Sequence, residues 1–227
     1  MKKHINRIIP FIILAVFSAS ALMAETVAVV LKAKGDIQLY RSGKVTDQTI
    51  KRGFRLQDGD KLVTGPKAYA ALRFIDDASL LRIRANSTCS IKGKKEKNEL
   101  IKNVYLEVGT IFARVTKQRG KFEISTPTSV ASVKGTEWIT EQIREGATYY
   151  YGRVGVVEIS NDAGAALLRE GETVEVLDAN TAPVTRKSEP GEGEWDEFGV
   201  DTEDYEFEFE NEQGEKKLLR FQIRLEE

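Results

Sequence analysis

From Thr26 onward, apolar and polar residues alternate in short runs, the two-residue period of half-buried β-strands, and turn signals separate the runs. "TVAVVLKAKGDIQLY" holds two runs broken at Gly35-Asp36, and "RSGK" is a turn. "GFRLQDGDKLVTG" carries an Asp58-Gly59 pair, and "YAALRFIDDASLLRI" alternates about a turn at Asp76-Asp77. "CSIKGKKEKNELIKNVYLEVG" contains a charged loop, and "TIFARVTKQRGKFEIST" reads as two strands about Gly120. "TYYYGRVGVVEIS" and "LLREGETVEVLD" close the series. The nearest approach to a helical period is "GTEWITEQIREG", and the glycines at both of its ends favour a strand pair. The pattern predicts an all-β fold of two packed sheets, sandwich-like, with a solenoid-like coil of short strands as the alternative.

One run breaks its own rhythm. In "SVASVKGTEWIT" Val133 and Ile139 share one phase and Trp138 falls in the other, with Gly135 and Thr136 between them. Glycine inside a strand marks a bend, a bulge or a close backbone approach. The expectation is a bend that carries the chain between two sheets, with the Thr136 hydroxyl satisfying a freed backbone group. A ligand contact at the bend is the other reading.

The two ends depart from the strand pattern. Lys2, Lys3 and Arg7 precede an apolar run, Ile8 to Phe17, broken only by Pro10, and small residues follow as far as Ala24. That is the layout of a secretory signal peptide over residues 1–24, with cleavage after Ala24 or after Ala21. The run is shorter than the roughly 20 apolar residues a membrane span requires, and no later stretch qualifies. The expected β domain occupies residues 25–178. Residues 179–203, poor in aliphatics and rich in Pro, Gly and acid, read as a linker. Residues 204–227 alternate cleanly about a turn at Asn211 to Gly214 and predict a β-hairpin whose apolar face must cover something, its own domain or a partner.

Charge sharpens this division. Residues 25–188 hold 27 basic and 20 acidic residues, a balance of +7, whereas residues 189–227 hold 4 basic and 15 acidic, a balance of −11. A basic body with an acidic tail bears on partners and solubility rather than fold. The single histidine, His4, lies in the leader, which excludes His-dependent triads and imidazole zinc sites from the mature chain. The lone Cys89 reads as a buried, inert residue.

The elements "GDKLVTGPKAYAALRFIDDASLLRI" (59–83), "LEVGTIFARV" (106–115) and "FEISTPTSVASVKGTEW" (122–138) together resemble a FecR-type domain, and "GRVGVVEI" and "LLREGETVEV" fit its closing strands. The resemblance spans roughly residues 27–177. The family is best known as the periplasmic part of iron-siderophore sensors, relaying between an outer-membrane transporter and a cytoplasmic sigma factor. Those sensors begin with an anti-sigma segment and a membrane span, whereas this sequence opens on a leader that runs into the domain. The resemblance therefore implies an exported binding or interaction module of the cell envelope. The signature positions it singles out are Gly59, Asp60, Thr64, Gly65, Gly109, Gly135 and Thr136, expected to serve the framework.

The side chains offer little chemistry. Asp60 suits a bond to its own turn backbone. Asp76 and Asp77, adjacent on a strand, should point to opposite faces unless the turn reverses this, and so should not flank one bond. "GRVGVV" lacks the helix that a phosphate loop needs. The acids of the linker lack the spacing of a calcium loop. Lys92, Lys94, Lys95 and Lys97, with Lys102 nearby, form the strongest basic cluster and a candidate contact for an anionic polymer or head group. No aromatics interleave with them, which disfavours nucleic acid. The sequence thus predicts no enzyme, no catalytic or metal residues and no cofactor. Its expected partner is an envelope protein or glycan in the periplasm or outside the cell. The alternatives are a scaffold subunit of an envelope assembly, a cell-wall glycan binder, or a hydrolase whose two carboxylates only the fold could bring together.

Overall fold

The structure, a computed structural model, describes residues 25–96, 99–115, 120–133 and 135–195 and the backbone of 202–210 and 216–224. The chain lays its strands on two sheets by turns. β1 (Thr26–Lys34) lies in the first sheet, and β2 (Ile37–Arg41) and β3 (Lys44–Val45) lie in the second. β4 (Arg55–Gln57) returns to the first sheet and β5 (Asp60–Thr64) to the second. β6 (Tyr69–Phe74) and β7 (Leu80–Ile83) form a hairpin in the first, and β8 (Thr88–Glu96) joins the second. β9 (Glu99–Arg114) begins in the second sheet and ends in the first. Three hairpins complete the body: β10 (Phe122–Ser125) with β11 (Val130–Val133), β12 (Glu137–Gln142) with β13 (Thr148–Val154), and β14 (Val156–Asn161) with β15 (Gly164–Arg169). β16 (Glu172–Val176) and β17 (Val184–Lys187) then close the first sheet.

The first sheet runs β4-β1-β6-β7-β9-β12-β13-β16-β17, all antiparallel. The second runs β3-β2-β5-β8-β9-β10-β11-β14-β15, with one parallel pair, β9 with β10. Because β9 belongs to both, seventeen strands form one hydrogen-bonded network. Among the described residues there is no helix long and apolar enough to cross a membrane.

Alternation explains the core. Leu39, Leu62, Ile91, Leu106 and Ile124 of the second sheet meet Leu72, Leu81, Ile83, Ile111 and Trp138 of the first in one buried cluster. Phe122 stands edge-on to both Phe74 and Trp138, at 5.4 and 6.1 Å between ring centroids, an arrangement that aromatic quadrupoles favour. Cys89 is fully buried here, and burial pushes its thiol up to about 12, which keeps it unreactive.

Two glycines carry the switches between sheets. Gly135 has φ +77° and sits between β11 of the second sheet and β12 of the first. Gly109 has φ +105° and lies within β9 where it changes partners from β8 to β12. A Cβ on Gly109 would stand 2.5 Å from the Cα of Ser87, so backbone and space both demand glycine.

Two sequence expectations need correction. Among the described residues the buried hydroxyl of Thr136 has no hydrogen-bond partner; it is the residue's carbonyl that works, accepting from the Val115 amide at 2.9 Å. Nor does 179–195 read as a bare linker: β17 pairs with β16, and Trp195 packs against Phe112. The C-terminal segment forms its own two-stranded sheet, β18 (Thr202–Glu210) with β19 (Lys216–Arg224). Its register sets Tyr205 opposite Phe221, Phe207 opposite Leu219 and Glu206 opposite Arg220. The leader and Lys97 lie outside the described residues.

Candidate binding face

The outward side of the first sheet is where dissimilar side chains converge. The register aligns Lys32, Ala71, Arg82, Phe112, Ile139, Tyr151, Thr173 and Arg186 across eight strands. Alternation points them away from the core, because their chain neighbours Leu72, Leu81, Ala113, Trp138, Tyr150 and Val174 are buried inside. Phe112, Ile139 and Tyr151 are nevertheless only 5%, 2% and 8% exposed. They form a second apolar cluster with Tyr149 and Trp195, separate from the core.

The cover comes from the end of the body. Residues 188–195, "SEPGEGEW", cross the outer face as a strap. The Trp195 ring lies 5.5 Å from Phe112, and the Arg84 guanidinium sits 4.4 Å over the indole, within cation–π range. Arg84 also donates to the Glu194 carbonyl at 2.7 Å, and Arg153 donates to the Gly193 carbonyl at 3.3 Å. Arg186 grips Glu192 with two parallel bonds of 2.7 and 2.6 Å. These bonds, with help from the Glu189 amide, hold the Glu192 carboxyl down at about 2. Gly193 passes flat over Tyr151, where an added Cβ would stand 2.6 Å from the tyrosine Cβ.

Between strap and sheet lies a cavity of about 430 Å³ lined by Arg84, Thr110, Ile139, Glu141, Tyr151 and the strap. The Tyr151 hydroxyl donates to Glu141 at 2.9 Å, and the Tyr149 hydroxyl to Glu175 at 3.2 Å. Burial, then the neighbouring carboxylates, push both phenols above their usual range, so both remain donors. Beyond the strap, Arg82 and Arg114 flank Phe112 at 5.5 and 5.9 Å from its centroid. Arg114 is paired with Glu137 at 2.7 Å, whereas Arg82 has no carboxylate partner among the described residues. Guanidinium groups on aromatic rings make a surface suited to anionic and aromatic groups.

The signature residues lie elsewhere and serve as joints. Asp60 is fully buried, accepting from Arg41 at 2.8 and 2.6 Å and from the Gln57 amide at 2.8 Å; Gly59 supplies the turn before it. The Thr64 hydroxyl donates to the Arg84 carbonyl at 2.6 Å and accepts from the Ser87 amide at 2.9 Å. The Gly65 amide meets Asp36, and Gly109 abuts Ser87. Thr64, Gly65 and Gly109 therefore gather around Ser87, and Gly135 and Thr136 form a separate joint.

Of the basic cluster, the described members lie on one strand and Lys102 lies apart. Lys92, Lys94 and Lys95 are exposed on β8, and Lys94 and Lys95 face Glu96 and Glu25 at 2.7 and 3.5 Å. Lys102 is fully buried and donates to Asp76 at 2.6 Å and to Asp77, between the rings of Phe74 and Phe122. The two aspartates converge because they sit in the β6–β7 turn, which cancels strand alternation. Burial alone would push the Asp77 carboxyl up; hydrogen bonds from Lys102 and Ser79 outweigh it and hold it below its usual range. Among the described residues no group of three or more His, Cys, Asp or Glu side chains could hold a metal ion. The sequence reading missed the outer face entirely; its one signal was the outward phase of Arg82, Phe112, Ile139 and Tyr151 on four separate strands.

Residues 60–158 match the family model described as FecR protein. Two crystal structures of a "putative anti-sigma factor" from Parabacteroides distasonis ATCC 8503 are similar in fold, at 17% and 16% identity and TM-scores of 0.48 and 0.49. Each similarity covers 56% of this chain and 59% of the other, so this chain spans about three fifths of the length of those it resembles. No curated protein matches.

Proposed function

We propose that this chain, which carries a FecR domain over residues 60–158, is an exported, non-enzymatic binding module of the cell envelope. The observation that carries the reading is the outer face of the first sheet. Phe112 is flanked there by Arg82 and Arg114, and Arg84 lies over Trp195. Such a surface recognises partners by stacking and by bidentate hydrogen bonds, and needs no proton shuttle. Export is supported by the basic start, the apolar run and the small residues up to Ala24. The partner is an envelope protein that presents acidic and aromatic groups.

The test has two arms. Fractionation of cells expressing the full chain should recover a processed protein outside the cytoplasm, and an unprocessed cytoplasmic protein would overturn export. Affinity capture from the native envelope should yield a partner that an Arg82→Ala, Arg114→Ala double variant loses. A partner bound equally by both proteins would remove the face from the reading. The exposed Lys92 and Lys94 on the second sheet favour a different occupant, an anionic cell-wall glycan. Sedimentation with insoluble wall, abolished by Lys92→Glu with Lys94→Glu, would favour that second reading.

A further inference from the structure

The strap is attached differently from the strands beneath it. Residues 189–195 join no strand ladder. Side chains of the face hold them: Arg84 donates to the Glu194 carbonyl, Arg153 to the Gly193 carbonyl, and Arg186 and Thr173 to the Glu192 carboxylate. The pocket of about 430 Å³ under the strap is partly open to solvent. The Trp195 indole N–H is buried without a hydrogen-bond partner among the described residues, in a position where tryptophan ordinarily finds one. The sandwich core is complete without the strap, because Trp195 and the residues it covers form a cluster of their own. The strap is therefore an imperfectly seated ligand on a preformed receptor: an acid for Arg186, glycine to pass flat over Tyr151, a carbonyl for Arg84 and an aromatic ring between Arg84 and Phe112.

We propose that the outer face of the first sheet binds a partner's extended acidic segment ending in an aromatic residue, and that residues 189–195 are its resident, displaceable occupant. This deepens the binding-module reading and rests on it. The tether raises the local concentration of the resident segment to roughly the millimolar range, so a partner must present better contacts than the strap. The empty space and the unpaired indole N–H leave room for such improvement.

The test uses the purified full chain and the synthetic peptide SEPGEGEW, and so is independent of where the protein resides in the cell. Trp195→Ala vacates the aromatic position, and Glu192→Lys, which keeps Trp195, repels Arg186. In Trp195→Ala the one remaining tryptophan is the buried Trp138, whose emission reports that the core is intact. Calorimetry should show both opened variants binding the peptide about tenfold or more tighter than the wild type, whose face is occupied. A peptide with alanine for its tryptophan should not bind, and adding Arg84→Ala to either variant should abolish binding. Folded variants that ignore the peptide, or a wild type that binds it equally well, would overturn the proposal. Success here with a cytoplasmic location would preserve the receptor and discard the envelope role.

Discussion

The two outer faces of this sandwich obey the same alternation and reach opposite results. On the second sheet the register aligns Tyr40, Lys61, Ser90, Tyr105 and Ser125, half-buried residues of mixed polarity. Their contacts stay within the sheet, such as Lys61 with Glu107 at 2.6 Å and Asn103 donating to Ser125 at 2.7 Å. On the first sheet the corresponding row holds Arg82, Phe112, Ile139 and Tyr151, three of them buried under the chain's own strap. An antiparallel sheet can leave one face to water. The difference teaches that the first sheet's outer face is built to be covered.

The comparison breaks most completely at the joint both faces share. Gly109→Val should cost about 4 kcal/mol, at the severe end for one substitution, because the new side chain meets the backbone of Ser87 at φ +105°. Gly135→Val, at the other switch, should cost about 1 to 3 kcal/mol. Denaturant melts check both, and an unchanged midpoint for Gly109→Val would mean that the two sheets do not depend on β9. Next in size is the cover itself. A chain ending at Glu189 loses Trp195 and uncovers Phe112, Ile139 and Tyr151, which should lower stability by about 2 to 3 kcal/mol and promote self-association. Light scattering and a thermal melt would see both.

Single truncations sharpen the contrast. Phe112→Ala should cost about 2 kcal/mol, whereas Tyr105→Ala on the second sheet should cost less than about 1 kcal/mol. Equal costs would erase the distinction between the faces. The smallest effect is acid release of the strap. The Glu192 carboxyl is held at about 2 by Arg186, lower than an unpaired glutamate. The contact is therefore fully present above the ordinary glutamate range and is lost as pH falls toward about 2. Trp195 emission should stay constant from neutral pH to about 4 and shift only below it, whereas Arg186→Gln should move the transition upward.

Much of the fold was legible because alternation is a local property. Gly135 announced its bend by breaking phase between Val133 and Trp138, and Asp60 announced its turn through Gly59. The outer face of the first sheet was not legible, because Arg82, Phe112, Ile139 and Tyr151 become neighbours only through the pairing register of four strands. Composition misled at the C-terminal end. Acid, proline and glycine between residues 179 and 195 read as solvated chain, yet Arg186 and Arg153 turn the same acid and glycine into contacts. Asp76 and Asp77 lie in the turn the sequence announced, where strand alternation does not govern, and so both reach Lys102.

The passage of β9 through both sheets has a mechanical consequence. A pull that parts two ordinary stacked sheets works only against side-chain packing. Here it must also shear the ladders that β9 makes with β7, β8, β10 and β12, loaded along one continuous covalent strand. The body therefore bears tension as a single beam, and the strap, held by three guanidinium groups, is its weakest fastening. Force arriving through the C-terminus would peel residues 189–195 from the outer face before any ladder yields. Force on the C-terminus and a competing peptide would then uncover the same row of arginines and aromatic rings.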